Sequence, residues 1–115
     1  MKLIDLEPEF IRFNELEHEG IIKTCLQEVE TLAEAQGVFL DCPVCQRSHS
    51  IMIAFADRGV LDHQGTRSTD GRPTRWTVAG GTGLHDLTLT PSIDCTPSNP
   101  SCWHGFITNG EVTCC

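Results

Sequence analysis

The sequence predicts an α+β fold, with one N-terminal helix set against a small, mainly antiparallel sheet. Three observations lead there. Apolar residues recur at three- and four-residue steps between 22 and 33, the period of one helix face. Beyond Gly37 they come instead in short runs bounded by turn residues, as strands do. Near the end, Phe106-Ile107-Thr108, Asn109-Gly110 and Glu111-Val112-Thr113 read as a hairpin. Asn-Gly there suits the positive φ angles of a two-residue type I′ turn.

Taken in order, residues 1–19 alternate acids with Leu, Ile and Phe and show no clean period. Asn14-Glu15-Leu16-Glu17 reads as a capping box, an Asn acceptor with a Glu three residues on. Ile22, Cys25, Leu26, Val29, Leu32 and Ala33 then form the apolar stripe of a helix over about 20–35. Glu28 and Glu30 lie on its wet face, Cys25 lies in the core, and Gly37 stops it. Four strands are expected, at Val38–Leu40, Ile51–Phe55, Trp76–Val78 and Leu87–Thr90, ahead of the C-terminal hairpin. Residues 57–74 carry Gly59, Gly65, Gly71 and Pro73 and read as a long loop, a length that is usually functional or mobile. Gly80-Gly81-Thr82-Gly83 lacks the Lys and the following helix of a phosphate-binding loop.

A chain of 115 residues is expected to be one domain, 1–115, with 39% apolar residues to form its core. No apolar run approaches the roughly 20 residues that span a bilayer, so no membrane is expected. The start is acidic and lacks the apolar stretch of a signal peptide, so the expected compartment is cytoplasmic, where thiols stay reduced. Seven cysteines there point to metal rather than to disulfides, and an odd count leaves one thiol over in any pairing. Charge is uneven. Residues 1–41 hold ten acids against Lys2, Arg12 and Lys23, while the rest hold six against five arginines. Nucleic-acid binding needs clustered Lys and Arg, and a net charge of −8 argues against it.

Cys42-Pro43-Val44-Cys45 follows a strand and precedes another. Two thiolates at that spacing grip one tetrahedral ion from a single knuckle, whereas a redox pair would open a helix. Zinc needs two further ligands, and His49, Cys95, Cys102, His104, Cys114 and Cys115 are the candidates. Cys102 begins the last hairpin, which could carry it to the knuckle. Cys114-Cys115 reads as a frayed end, and His18 and His63 sit among polar neighbours without an evident role. Ser92, at a strand end after Pro91, and His104 are candidate nucleophile and base, with Asp94, Glu111, Glu34 and Asp86 as candidate orienting acids.

The blocks Cys42–Cys45, Ser48–Ile51, Gly81–Ile93 and Cys102–Val112 resemble a family of short phage and bacterial proteins catalogued as a domain of unknown function. The resemblance covers about residues 34–113 and leaves the acidic N-terminal part, 1–33, outside. Relatives of that family accompany bacterial ubiquitination-like operons as serine peptidases. The resemblance implies a catalytic triad of Ser92, His104 and Glu34, the last matching an acid eight residues before the first cysteine. It also implies a protein substrate, a ubiquitin-like protein or its conjugates, and a phage or prophage origin. The relatives carry a tight cysteine cluster where this chain has Cys42, Cys45 and then His49. The expected structural zinc is therefore bound by Cys42, Cys45, His49 and Cys102, which leaves His104 free as base. In the competing assignment His104 joins Cys102 on the ion, and the chain is a non-catalytic zinc module that engages a host or phage protein through its acidic N-terminal third.

Overall fold

The computed structural model describes residues 1–95 and 102–114, the side chains of 46–48 excepted. Cys115 lies outside the described residues. The architecture is nearly all β, and the α+β expectation is corrected. Beyond a 3-10 turn at Leu3–Leu6, the described elements are eight strands: β1 Glu9–His18, β2 Ile21–Val29, β3 Gly37–Cys42, β4 Gln46–Ala54, β5 Thr77–Gly80, β6 Thr88–Asp94, β7 His104–Thr108 and β8 Glu111–Cys114. They form two four-stranded antiparallel sheets, in the orders β2-β1-β3-β4 and β5-β6-β7-β8.

The helix expected over 20–35 is strand β2 and the turn after it. β1 and β2 form a long hairpin, paired from Phe10↔Val29 to His18↔Ile21. Its two-residue turn, Glu19-Gly20, has φ angles of 52 and 80, the left-handed pair that matches strand twist. Asn14–Glu17, read as a capping box, therefore lies in mid-strand, and Gly37, read as a helix stop, opens β3. Tertiary pairing overrides the local pattern here. β1 offers Ile21–Val29 a full ladder of backbone partners, and Ile21, Ile22, Thr24 and Val29 are β-branched residues that suit one. Cys25 is half-buried on this hairpin rather than in the core.

The expected strands at 38–40, 51–55, 76–78 and 87–90 lie in or beside β3, β4, β5 and β6. The C-terminal hairpin is present, with Thr108↔Glu111 closing on Asn109 and Gly110 at φ 49 and 74. Its tip is docked, since the amide of Gly110 donates to Leu87 O at 2.9 Å and Gly110 O accepts from the amide of Leu3 at 2.8 Å.

The two sheets share one core. Phe10, Val38, Leu40, Ile51, Ile53 and Phe55 from the first meet Leu89, Ile93, Trp103, Ile107 and Val112 from the second. Trp103 is almost wholly buried, and its indole N–H donates to Thr113 O at 3.0 Å. That seat exists because residue 105 is glycine. A Cβ there would lie 1.8 Å from Thr113 O and 2.5 Å from Trp103 Nε1. Trp103 stands between Cys102 and His104 in the chain, so its burial fixes the residues on both sides of it.

Residues 57–74 contain no named strand, as expected of a loop, yet they are tightly tied. Arg67 pairs with Pro73 in an isolated bridge. Arg75 Nη2 donates to the carbonyls of Leu61 and Gln64, each at 2.8 Å. His63, expected to have no role, meets the carboxylate of Glu15, and Gln64 Nε2 donates to the same carboxylate at 2.8 Å. The loop is thereby fastened to the long hairpin, and these bonds hold the Glu15 carboxyl below its ordinary value.

Candidate active site and metal centre

The metal-ligand candidates converge because β3 ends in an irregular register. Between Asp41 and Cys42 the pairing with β4 shifts, and Pro43-Val44-Cys45 turns the chain so that both thiols face one point. Cys42, Cys45, His49 and Cys102 place their ligand atoms within 4.8 Å of one another. Cys42 Sγ lies 3.5 Å from Cys102 Sγ, and Cys102 Sγ lies 3.5 Å from His49 Nδ1. Tetrahedral zinc with bonds of about 2.3 Å holds its sulfurs about 3.8 Å apart, so the donor set fits a thiolate-rich ion. These four residues can hold a metal.

Their electrostatics are uneven. Burial alone would raise the Cys42 thiol. Hydrogen bonds from the Cys45 amide, His49, the Val44 amide and Cys102 outweigh it and bring the thiol down to about 6. Burial raises Cys45 to about 11 and Cys102 to about 12, each opposed further by Cys42 beside it. One thiolate is therefore ready near neutral pH, and an arriving cation must ionise the other two thiols. Cys95 lies against the cluster, raised by burial, and its amide donates to Trp103 O at 3.0 Å. Cys114 is exposed at the end of β8.

Two residues past Cys102, His104 opens β7 and turns away from the cluster. Its Nε2 lies 3.3 Å from Ser92 Oγ. Ser92 reaches it through a bulge in β6. Leu89 pairs with Ile107 and Ile93 with Gly105, so β6 takes four steps where β7 takes two. Bulges of this kind re-aim side chains and recur beside active sites. The indole of Trp76 then pins the bulge, donating to Ser92 O at 3.1 Å.

Glu34 is not brought to this pair. It is exposed in the turn before β3, where its carboxylate accepts from Thr31 Oγ1 at 2.7 Å. No hydrogen bond or ion pair joins it to His104 among the described residues. Asp94, one of the other candidate acids, stands directly across from His104 in the β6–β7 register. Asp86 is occupied at its own turn, accepting from the amides of Thr82 and Gly83, which hold its carboxyl down. Glu111 faces the N-terminal ammonium at 3.7 Å.

Ser92 and His104 thus meet near the thiol-rich cradle, His104 two positions along the chain from Cys102. Residues 14–115 match the family model of the bacterial ubiquitination-like system serine protease, BubE. The chain belongs to the BubE family. The match begins at residue 14, so the family region takes in most of the β1–β2 hairpin that the sequence reading placed outside it. A protein partner or substrate follows from the family. No curated protein and no solved structure matches the chain. Among the described residues no helix is long and apolar enough to cross a membrane.

Sequence reasoning missed two parts of the site. Trp76 was legible only as a strand residue, because nothing local marks an indole that reaches sixteen positions along the chain. Residues 66–74 were read as an undifferentiated loop, although their Thr and Ser side chains wall a cavity beside Ser92.

Proposed function

We propose that this BubE-family protein is a serine peptidase acting on a ubiquitin-like protein or its conjugates, with Ser92 as nucleophile, His104 as general base and zinc as a structural ion. The observation that carries the reading is the 3.3 Å approach of His104 Nε2 to Ser92 Oγ. Catalytic hydrogen bonds are often this loose before substrate binds. With Nε2 as acceptor, the Ser92 hydroxyl donates its proton as Oγ attacks the scissile carbonyl. The imidazolium then returns that proton to the leaving amine. Water repeats the cycle to free the acyl group.

Glu34 would have to leave Thr31 to orient the imidazole, so the reading rests on the Ser–His pair. Zinc is the ion of choice for three thiolates and one imidazole at tetrahedral spacing. Cys42, Cys45, His49 and Cys102 would hold it, closed by four protein ligands as structural sites are. Its chemistry there is to fix the β3–β4 knuckle to the segment entering β7. The non-catalytic alternative lacks an observation of comparable weight, since it leaves the Ser92–His104 contact without a purpose.

The test is cleavage of a ubiquitin-like protein carrying a C-terminal extension, followed by mass spectrometry. Ser92→Ala and His104→Ala are each expected to lower the rate by about a thousandfold or more. A Ser92→Ala protein that cleaves at the parental rate would overturn the assignment.

A further inference from the structure

We propose that the free edge of β2 is a docking strand for the protein substrate, and that the segment it receives is extended and alternates apolar side chains with lysine or arginine. The inference rests on the peptidase reading for its occupant and on the β1–β2 hairpin for its geometry. β3 pairs with β1 only over Glu9–Ile11, so from Arg12 onward the hairpin runs out beyond its sheet. β2 ends that sheet, with no strand on its outer side among the described residues. It is nine residues long and carries neither a proline nor a bulge. An open, apolar edge of that kind is a template for another strand.

The main chain is presented in one phase. The Phe13 amide donates to Gln36 Oε1 at 2.9 Å, and Ile11 O accepts from the Gln36 amide at 2.8 Å. At these two positions the backbone of β1 therefore points away from β2. Opposed residues of an antiparallel pair alternate together between inward and outward bonding. Their partners Leu26 and Glu28 accordingly turn amide and carbonyl outward, and so by alternation do Ile22 and Thr24. An arriving antiparallel strand meets an open donor and acceptor at every second residue.

The side chains set the pattern. Ile22 and Leu26 share one face of the hairpin and are 65% and 43% exposed. On that face Glu17 stands opposite Ile22, and Glu28 lies two residues beyond Leu26. Neither carboxylate has an ion-pair partner among the described residues. A lysine stem covers the apolar pair while its ammonium reaches the acids. On the other face Leu16, His18, Ile21, Lys23 and Cys25 line a hollow of about 210 Å³. It suits an apolar side chain, with Lys23 set against a cation. Successive residues of a docked strand fall on these two faces in turn. Residues 15–30 hold Glu15, Glu17, Glu19, Glu28 and Glu30 against Lys23, so a second copy would bring like charge to like, whereas a basic segment complements the edge. The edge is also continuous with the catalytic side. His63 and Gln64 meet Glu15, and the loop that bears them goes on to Thr66, Ser68, Thr69 and Thr74, which wall the cavity beside Ser92.

The experiment uses end-blocked octapeptides of alternating valine and lysine or alternating valine and glutamate, read by fluorescence anisotropy. The lysine peptide is expected to bind the parent about tenfold tighter than the glutamate peptide. The double variant Glu17→Lys, Glu28→Lys should reverse that order. N-methylation of the lysines, whose main chain faces β2, should abolish binding, and N-methylation of the valines should spare it. The lysine peptide should also raise the KM for the ubiquitin-like substrate without slowing labelling by a simple fluorophosphonate, from which Ser92 Oγ displaces fluoride as His104 takes the hydroxyl proton. Equal affinity for the two peptides, an order unchanged in the double variant, or binding lost on methylating the valines instead would each overturn the docking strand and leave Ser92 as nucleophile. So would a parent dimer that Thr24→Pro splits, which would assign the edge to a second copy. Peptide binding that leaves KM unchanged would overturn the substrate as occupant. A parent that the fluorophosphonate fails to label overturns the peptidase reading, and the substrate as occupant with it.

Discussion

His104 and Cys102 are separated by one residue, yet Cys102 meets the Cys42 thiol and His104 meets the Ser92 hydroxyl. The buried Trp103 lies between them in the chain, and β7 begins only at His104, so strand alternation does not place Cys102 on the face of His104. At this scale the thiols of the cradle make a quantitative prediction. A thiol lowered below the ordinary 9.0 to about 6, as Cys42 is, contributes stability that is fully present above pH 9 and lost as pH falls through 6. Cys45 and Cys102, raised to about 11 and about 12, are protonated across that whole range. Zinc binding to the metal-free chain at pH 7.5 should therefore release about two protons from the thiols, rising toward three as the pH drops below 6. Calorimetry in buffers of different ionisation enthalpy measures this number. Release of three thiol protons at pH 7.5 would show that Cys42 is not the pre-formed thiolate. A second residue-scale prediction concerns Gly110. Its φ of 74 lies in the left-handed region, and a Cβ there would sit 2.0 Å from His85 O. Gly110→Val should cost about 2–4 kcal/mol in chemical denaturation, from backbone strain and overpacking together. A loss below 1 kcal/mol would mean that the docked tip relaxes freely.

Elements differed in how far the sequence disclosed them, and the two hairpin turns show why. Asn109-Gly110 and Glu19-Gly20 adopt the same left-handed pair of conformations. Asn visits that region readily, so the first turn was legible; Glu does not, so the second was hidden. β2 was hidden further by its surroundings. An edge strand with Ile21, Ile22 and Leu26 all exposed has no burial alternation to betray a period of two. Its apolar residues fell instead at helical steps. The metal knuckle was legible because two cysteines three positions apart act locally, whereas the third and fourth ligands depend on β4 and on the approach of β7. Ser92 and His104 stood out as residue types, but their contact depends on a bulge that only the β6–β7 register reveals. Trp76 belongs to the same scale. Its backbone joins the sheets, with the Trp76 amide donating to Ala54 O at 3.0 Å and Trp76 O accepting from the Ala56 amide at 2.8 Å. Its indole fixes the bulge. Trp76→Phe keeps an aromatic ring at the position and deletes the donor together with part of the indole's packing. Peptidase kcat should fall about tenfold while the melting temperature drops by only a few degrees. An unchanged kcat would show that the bulge holds Ser92 unaided.

The whole molecule is two sheets around a common core, with the metal cradle at the seam between them. Cys42, Cys45 and His49 belong to the β3–β4 end of the first sheet, and Cys102 to the segment entering β7 of the second. An ion there ties residues about sixty positions apart in the chain, at a point two residues from His104. Most of the shared core is apolar side chain from both sheets, Val38, Leu40, Ile53, Leu89, Ile93 and Ile107 among it, and these contacts do not run through the ion. Loss of metal should therefore loosen the molecule without unfolding it outright. Stripping the bound metal with a chelator is expected to lower the melting temperature by about 10 °C or more, since a bound structural ion adds its binding free energy to folding. Hydrogen exchange should rise first in β7 and in the β3–β4 turn, and hardly at all in the β1–β2 hairpin, which lies at the far edge of its sheet. Activity should fall with it, because the Ser92–His104 approach depends on where β7 begins. Cys42→Ser removes the ligand that meets both Cys102 and the Cys45 amide, and should reproduce the chelated state in a form that added zinc does not rescue. Uniform exchange across both sheets after chelation would show that the ion holds up the entire fold rather than the seam.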